Sequence, residues 1–231
     1  MDVLVTGGNK GLGLETVRQL ATAGHTVWLG SRDLERGRVA AAEVGARAVQ
    51  LDVTSDESVA AAVRMVGSLD VLVNNAGVSP ERGPGWFVET ADLTAEVLRE
   101  TFETNVAGTV RVLHAFLPLL ERSEAPVVVN VSSRLGSLST VAAPGSPQHD
   151  YPGAAYPASK AALNMLTIQY AKAFPRMRIN AVDPGFTATD LNDRTGTQSA
   201  AEGAAIIVRM AQVGPDGPTG GYFDGSGPLP W

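Results

Sequence analysis

Short apolar runs rich in β-branched residues alternate along the chain with longer segments rich in alanine and leucine. Several short runs are apolar almost throughout, which is the pattern of parallel strands covered on both faces of a sheet. These runs predict strands at residues 2–6, 25–30, 46–53, 69–74, 126–132, 177–183 and near 221–223. The segments between them predict helices at residues 11–23, 33–44, 55–67, 92–121, 156–174 and 199–212.

This alternation predicts an α/β fold, a doubly wound, Rossmann-like parallel sheet within a single domain that spans residues 1–231. Asp33 and Ser55 have the side chains that cap helix N-termini, and each stands at the start of a predicted helix. The longest irregular stretch, about 134–155, is rich in Ser, Pro and Gly. A loop of that length in a compact domain is usually functional, so we expect a substrate loop there.

Composition narrows the range of partners. The balance of 18 Lys+Arg against 24 Asp+Glu, a net charge of −6, disfavours nucleic acid and anionic membranes. The chain has no cysteine, which excludes disulfides and thiolate chemistry, and its three histidines lack metal-ligand spacing, so we expect no metal.

No apolar run approaches the roughly 20 residues that span a membrane. Because the first predicted strand begins at Asp2, there is no room for a signal peptide, and we expect a cytoplasmic protein.

A glycine-rich segment, TGGNKGLG (residues 6–13), lies between the first predicted strand and the first predicted helix. Gly7, Gly11 and Gly13 leave room for a pyrophosphate to approach the backbone, and the helix N-terminus offers free N–H groups to its charge. This position favours dinucleotide binding over the alternative of a plain tight turn.

Residues after the second predicted strand indicate which dinucleotide is bound. Asp33 lies at a spacing that suits an acid binding a ribose 2′-hydroxyl, but it fits better as a helix cap. Arg32 directly follows the strand, Arg36 lies one helical turn further on, and Lys10 lies within the glycine-rich segment. Three cations at one end of the sheet suit a 2′-phosphate, which favours NADP and makes NAD less favoured. The alternative is that the arginines are solvated surface residues.

Two further strand ends complete the predicted cofactor site. Asp52 and Val53 end the third predicted strand, where they can meet an adenine, although Asp52 could equally be a loop or capping residue. The string NNAG (residues 74–77) ends the fourth predicted strand and places Asn75, Ala76 and Gly77 beside the cofactor. Its small residues and amides suit a close backbone approach, although as a plain turn it would be unremarkable.

Candidate catalytic residues lie between residues 105 and 160. Tyr156 and Lys160 share one face of a predicted helix, and a nearby ammonium lowers the pKa of a phenol toward the range useful for proton transfer. Ser133 lies at the carboxyl end of the fifth predicted strand, the edge where such sheets bind ligands. Asn105 is an amide within a long predicted helix, with a buried, satisfied polar residue as the alternative.

These motifs together resemble the short-chain dehydrogenase/reductase family: TGGNKGLG, NNAG, Asn105, NVSS (130–133), YPASK (156–160) and DPG (183–185) occur in the family's order. With SRDLERG (31–37), the chain is most similar to the NADPH-dependent carbonyl reductases. The resemblance implies an oxidoreductase that interconverts a ketone, aldehyde or quinone and an alcohol by hydride transfer. It also implies that helices 92–121 and 156–174 pack against another copy in a homodimer or homotetramer. Burial of these helices within the monomer is the alternative.

The resemblance assigns a role to each candidate. Asn105 would hold a water in a proton relay, Ser133 would bind the substrate oxygen, and Tyr156 would be the acid/base. Lys160 would lower the pKa of that tyrosine and bind the nicotinamide ribose. The implied cofactor contacts are Gly7, Asn9, Lys10, Gly11, Leu12, Gly13, Arg32, Arg36, Asp52, Val53, Asn75, Ala76, Gly77, Tyr156, Lys160, Pro184, Gly185, Thr187 and Thr189.

One departure from the family concerns the interval from Ser133 to Tyr156, which at 23 residues is longer than is usual in the family. We expect Tyr151, within this interval, to form pocket wall or loop packing and to take no part in proton transfer. The adjacent His149 and Asp150 could suggest a dyad or metal site, but neighbours in an irregular loop seldom aim at one point.

Other readings remain for the neighbouring residues and for the function. Trp86 and Phe87 line the pocket or are packing residues. A regulatory protein that senses NADP, and an epimerase or dehydratase, are the competing functions. The full set of Asn105, Ser133, Tyr156 and Lys160 disfavours both.

Overall fold

The computed structural model describes residues 1–83 and 85–231, and its sheet follows the predicted alternation. Eight of the described strands form one sheet in the order β10-β9-β8-β7-β4-β1-β2-β3, and two form a short hairpin. The strands are β1 (Asp2–Val5), β2 (Thr26–Ser31), β3 (Arg47–Gln50), β4 (Val71–Asn74), β5 (Arg82–Gly83), β6 (Trp86–Phe87), β7 (Val127–Val131), β8 (Arg178–Val182), β9 (Tyr222–Asp224) and β10 (Gly227–Pro228). The helices are α1 (Gly11–Thr22), α2 (Leu34–Val44), α3 (Asp56–Val66), α4 (Ala95–Phe102), α5 (Thr109–Leu120), α6 (Leu138–Val141), α7 (Ala155–Ala173) and α8 (Ala200–Ala211).

Helices cover both faces of this sheet, as its apolar strands require. Among the described strands of this sheet, neighbours run parallel from β3 to β9, and β10 pairs antiparallel with β9. Side chains alternate along β1, so Val3 and Val5 pack in one apolar cluster with α1, α2 and α8. Leu4 packs in the second cluster with α3, α5 and α7. The structure therefore confirms the predicted single-domain, doubly wound α/β fold.

The predicted helix starts are confirmed at two caps. The Asp33 carboxylate accepts the Arg36 N–H at 3.1 Å at the start of α2, so Asp33 acts as the cap that the sequence favoured. The Ser55 hydroxyl accepts the Ser58 N–H at 3.2 Å at the start of α3. Side-chain acceptors at these positions satisfy N–H groups that have no partner within the helix.

The long helix predicted at 92–121 differs from the structure in two respects. It begins at Ala95, because the Thr94 hydroxyl caps the helix there, and a 3₁₀ turn at Thr90–Asp92 precedes it. Between α4 and α5 the helix widens into a π-helical segment, Glu103–Gly108. Side chains on the inner face of α5, including Phe116, are buried within the monomer, which accounts for much of the apolar character of this helix.

Within the interval predicted as irregular, 134–155, the structure adds local order. A 3₁₀ turn at Arg134–Gly136 is followed by the short helix α6, whose N-terminus is capped by Ser137. The sequence also missed the hairpin of β5 and β6 and the strand β10, because two-residue strands are too short to show an alternating pattern. None of the described helices is long and apolar enough to cross a membrane.

Candidate active site

A cavity of about 1170 Å³ opens at the carboxyl ends of the central strands. It lies where the strand order reverses between β1 and β4, the position at which doubly wound sheets bind ligands. Ser133 lines this cavity, and so do seventeen predicted cofactor contacts, Tyr156 and Lys160 among them. They are Gly7, Lys10, Gly11, Leu12, Gly13, Arg32, Asp52, Val53, Asn75, Ala76, Gly77, Tyr156, Lys160, Pro184, Gly185, Thr187 and Thr189. Three predicted site residues, Asn9, Arg36 and Asn105, lie outside the lining.

The glycine-rich loop has the shape that a dinucleotide phosphate needs. Gly7 has a φ of +63° and Gly11 a φ of +53°, which side-chain-bearing residues rarely adopt. A Cβ at Gly13 would lie 2.5 Å from Asn75 Nδ2 and closer still to the Gly7 carbonyl oxygen, so the loop can pack here only with glycine. Among the described residues, no side chain caps the first turn of α1, which leaves its N–H groups for an anion.

Asn75 holds the two cofactor loops together. Its Nδ2 donates to the Thr6 carbonyl at 2.9 Å and to the Gly7 carbonyl at 3.2 Å. The Thr6 hydroxyl in turn accepts the N–H groups of Asn75 and Ala76, both at 3.0 Å. The amide side chain of Asn75 therefore fixes the backbone of the glycine-rich loop rather than standing free in the cavity.

The three predicted 2′-phosphate cations occupy different positions. Lys10 is exposed and its Nζ lies 3.1 Å from Asp190 Oδ2. Arg36 does not line the cavity, and it pairs with the carboxylate of Asp33 at 3.2 Å. Arg32 lines the cavity, and within the described part of the chain no carboxylate pairs with its guanidinium. Arg32 is therefore the cation that is best placed for an anionic ligand.

Asp52 caps a turn, as one of the two interpretations of the sequence expected, and it also lines the cavity. Its Oδ1 accepts the Thr54 N–H at 2.9 Å and the Thr54 hydroxyl at 2.7 Å, which makes it the cap of a turn. The hydrogen bond from the Thr54 backbone is the main cause that lowers the pKa of Asp52, so the carboxylate is charged. It also lines the cavity, next to Val53.

Lys160 lies on α7 one helical turn after Tyr156 and is almost fully buried, with 4% of its surface exposed. Its Nζ donates to the Val131 carbonyl at 2.7 Å and lies 5.5 Å from the centre of the Tyr156 ring. Burial lowers the pKa of Lys160 to about 8, since a charged amine loses hydration in this position.

Tyr156 is held as a neutral phenol in this structure. Burial is the main cause that raises its pKa, and the negative charge of Asp183 raises it further. The Ser133 hydroxyl works in the opposite direction and lowers the pKa of Tyr156, and both residues line the cavity. A phenol that keeps its proton at neutral pH is suited to donate it to a carbonyl oxygen bound between these hydroxyls.

Asn105 lies in the π-helical segment, and its side chain is fully engaged. Its Oδ1 accepts the Val78 N–H at 2.8 Å, and its Nδ2 donates to the Val78 carbonyl at 2.9 Å and the Ser159 hydroxyl at 3.0 Å. The amide thus joins the segment after NNAG to α7, the helix of Tyr156 and Lys160. This matches the satisfied buried residue that the sequence left as an alternative.

The sequence did not single out two polar groups: Arg134, which lines the cavity, and Glu81, which does not line it but contacts the lining residue Tyr151. Arg134 directly follows Ser133 and joins Asp183, at 3.2 Å, to Asp224 in an ion-pair network that closes the ends of β8 and β9. Glu81 is fully buried, and its Oε1 accepts the Tyr151 hydroxyl at 3.0 Å. A basic residue directly after the predicted serine was a local signal for Arg134, whereas nothing local distinguished Glu81.

The loop residues about which the sequence left questions have structural contacts. Tyr151 lines the cavity and packs edge-to-face against Phe87, with ring centres 5.5 Å apart. Neither Trp86 nor Phe87 lines the cavity, so the packing interpretation is the one that the structure supports for Phe87. His149 Nδ1 lies 2.9 Å from the Val141 carbonyl. Within residues 1–83 and 85–231, no cluster of three or more His, Cys, Asp or Glu side chains could hold a metal ion.

Comparisons with known proteins agree with this geometry. The sequence model of a family described as short chain dehydrogenase matches residues 2–200. The chain is 34% identical to a (+)-neomenthol dehydrogenase of Arabidopsis thaliana, over 95% of this chain and 94% of that protein. The structure of salutaridine reductase from Papaver somniferum superposes with a TM-score of 0.84 at 30% identity, covering 96% of this chain and 99% of the other. The structure of an NADPH-bound carbonyl reductase from chicken fatty liver superposes with a TM-score of 0.82 at 25% identity, covering 100% and 98%.

Proposed function

The chain belongs to the short-chain dehydrogenase/reductase family and is an oxidoreductase that acts on CH–OH groups, and on that premise we propose that it is an NADPH-dependent carbonyl reductase with Tyr156 as its acid/base. The substrates that we propose are ketones, aldehydes or quinones. One observation carries the proposal: Ser133, Tyr156 and Lys160 line the same cavity as the glycine-rich loop. A nicotinamide dinucleotide bound there supplies the hydride, or accepts it in the reverse direction.

In the proposed reduction, each residue contributes through the position that it has in the structure. The Ser133 hydroxyl donates a hydrogen bond to the substrate carbonyl oxygen and holds it beside the Tyr156 hydroxyl. Tyr156 then transfers its proton to that oxygen as negative charge develops there. In the reverse direction Tyr156 must first lose its proton, which its raised pKa opposes and the nearby Lys160 ammonium favours. Asn105 positions α7 through its bond to Ser159.

NADPH is proposed over NADH because of the charge at the end of β2. Arg32 lines the cavity there, and Lys10 lies on the rim beside Asp190. A guanidinium can bind two oxygens of a 2′-phosphate at once, whereas the 2′-hydroxyl of NADH has no charge to pair with it. The carbonyl reductase from chicken fatty liver, which is similar in structure, is described as NADPH-bound. Arg36 pairs with Asp33, so we propose a smaller part for it than for Arg32 in binding the 2′-phosphate.

The test is to mix the protein with NADPH and a panel of ketones, aldehydes and quinones, and to follow the loss of nicotinamide absorbance. The same panel with NADH, and the Arg32→Ala variant with each cofactor, tests the cofactor assignment. We expect turnover with NADPH, and we expect Arg32→Ala to lose about tenfold or more in NADPH affinity and little in NADH affinity, as one charge-assisted contact is lost. Arg38→Ala is the matched control, because Arg38 pairs with Glu35 on the exposed side of α2. Bound NADPH with no oxidation by any carbonyl would contradict the proposed activity.

A further inference from the structure

Glu81 is a carboxylate with none of its surface exposed, in a position that the proposed mechanism does not use. Within the described part of the chain it forms no ion pair with Lys, Arg or His. Buried carboxylates without a cation are rare, because the loss of hydration must be offset by hydrogen bonds. The contacts of Glu81 therefore indicate what this residue is for.

The two carboxylate oxygens of Glu81 have separate donors. Oε2 accepts the backbone N–H of Ala155, the first residue of α7, at 2.7 Å, where the helix N-terminus favours negative charge. Oε1 accepts the Tyr151 hydroxyl at 3.0 Å. Gly153 closes the arrangement, since a Cβ there would lie 2.8 Å from Glu81 Oε1 and 2.7 Å from Phe87 Cζ. Glu81 is thus packed against Gly153 and bonded at both oxygens, and the Tyr151 O–H bond points to Oε1.

The consequence concerns the side of Tyr151 that faces the substrate cavity. Its only hydroxyl hydrogen is committed to Glu81, so its oxygen can offer only lone pairs to a ligand. Ser79 and Tyr156 line the same cavity as Tyr151. Tyr151 therefore offers a hydrogen-bond acceptor at the cavity that Tyr156, the proposed proton donor, also lines.

We propose that Tyr151, oriented by Glu81, is an acceptor subsite that selects carbonyl substrates carrying a hydrogen-bond donor, a hydroxyl or N–H group, near the reacting carbonyl. The inference rests on the proposed carbonyl reductase function and adds the substrate class. Ser133 and Tyr156 donate hydrogen bonds to the carbonyl oxygen, and Tyr151 accepts one from another part of the substrate. A substrate with an ether oxygen at the same place should bind less tightly, because the ether oxygen and the Tyr151 oxygen are both acceptors and cannot hydrogen-bond to each other.

The test compares matched ketones that differ only in the donor. The probes are cyclohexanones with a hydroxyl at position 2, 3 or 4, their methoxy counterparts, and unsubstituted cyclohexanone. For each probe, the dissociation constant is measured by calorimetry with the protein bound to a redox-inactive NADPH analogue, and kcat and KM are measured with NADPH by nicotinamide absorbance. For at least one ring position we expect the hydroxy ketone to bind about tenfold more tightly than its methoxy counterpart, the effect of one hydrogen bond at a partly buried site.

Two variants separate this subsite from a purely structural role. Tyr151→Phe should remove the preference for the hydroxy ketone. In Glu81→Gln the Ala155 N–H keeps the amide oxygen as its acceptor, so the amide NH₂ faces Tyr151. Tyr151 then accepts from that NH₂ and turns its own hydrogen to the cavity, and the preference should reverse to the methoxy ketone. The controls are Tyr170→Phe, at the far end of α7, and Glu43→Gln, on the exposed face of α2.

The outcomes for this inference and for the proposed function are distinct. Equal binding of hydroxy and methoxy ketones at all three positions, or a preference that persists in Tyr151→Phe, would overturn the subsite. A preference that is lost but does not reverse in Glu81→Gln would overturn the orienting role of Glu81. If the hydroxy ketones bind through Tyr151 but no ketone is reduced, the subsite stands and the proposed function fails.

Discussion

At the scale of single residues, the burial of Lys160 lowers its pKa and thereby makes the stability of the fold depend on pH. Its pKa of about 8 lies below the ordinary value of 10.5, because the folded chain withholds water from the ammonium. Between these two values the unfolded chain holds a proton that the folded chain has released. Stability therefore rises with pH across this window as far as Lys160 contributes, and at neutral pH the buried charge destabilises the fold.

The prediction is that Lys160→Met removes this pH dependence. The free energy of unfolding of the variant, relative to the parent, should fall by about 2–3 kcal/mol between pH 7 and pH 10, as expected for a shift of this size. Urea unfolding of both proteins at each pH measures the difference. Lys172→Met, an exposed position on the same helix, should show no such trend. A difference that is constant with pH would mean that Lys160 keeps an ordinary pKa.

Most of the site residues predicted from residue types and spacing line the cavity, but the sequence did not predict the partners of each side chain. Tyr156 and Lys160 share a helix face whatever the tertiary fold, so their pairing could be read from the sequence. The contacts of Glu81 with Tyr151 and Ala155 join residues 70 and 74 positions apart. The pairing of Lys10 with Asp190 joins residues 180 positions apart. Contacts of this kind depend on how the loops meet above the sheet, and no local pattern encodes them.

At the scale of elements, the site depends on the close contact of α7 with the turn after β7. A Cβ at Gly136 would lie 2.6 Å from the Lys160 carbonyl carbon and 2.8 Å from Lys160 Cβ, so helix and turn meet backbone to backbone. Asn164 Nδ2 also donates to the Gly136 carbonyl at 3.0 Å. This contact fixes the distance between Ser133, at the start of the turn, and Lys160.

The prediction is that Gly136→Ala forces α7 away from the turn. The free energy of unfolding should fall by about 1–3 kcal/mol, as for other insertions into packed regions, and carbonyl turnover should fall with it. NADPH affinity should fall less, because the glycine-rich loop lies elsewhere on the sheet edge. Gly214→Ala is the control, since a Cβ at that glycine meets nothing within 4 Å. A variant with parental stability and turnover would show that the contact can relax.

Elements were easier to predict than their boundaries. The strands β4 and β7 are buried on both faces, and this gave them a clear pattern. The start of α4 depended on the Thr94 cap, and α6 on the Ser137 cap within a stretch that has no helical periodicity. Short elements such as these depend on side chains that bond to the free backbone groups at their ends. A single capping residue is too weak a signal to recognise within a polar loop.

At the scale of the whole molecule, one face of α7 has little cover. Met165 is 55% exposed, Ala158 is exposed, and Leu166 and Ile168 are partly covered. The predicted homodimer or homotetramer would bury this face against another copy. Light scattering should then give a mass of about two or four times 24.0 kDa, and Met165→Glu should lower it. A parent that stays at 24.0 kDa at micromolar concentration would contradict the prediction.

The central claim is that Tyr156 donates the proton while NADPH supplies the hydride to a carbonyl carbon. The most direct test mixes the protein with NADPH deuterated at the reactive position of C4 and a ketone that the parent reduces, and measures deuterium in the alcohol by mass spectrometry. We predict one deuterium on the carbinol carbon, formed about 10²–10⁴-fold more slowly by Tyr156→Phe, the usual contribution of a general acid, with NADPH affinity retained. Tyr170→Phe should match the parent. Transfer by Tyr156→Phe at the parental rate, or an alcohol without deuterium, would contradict the account.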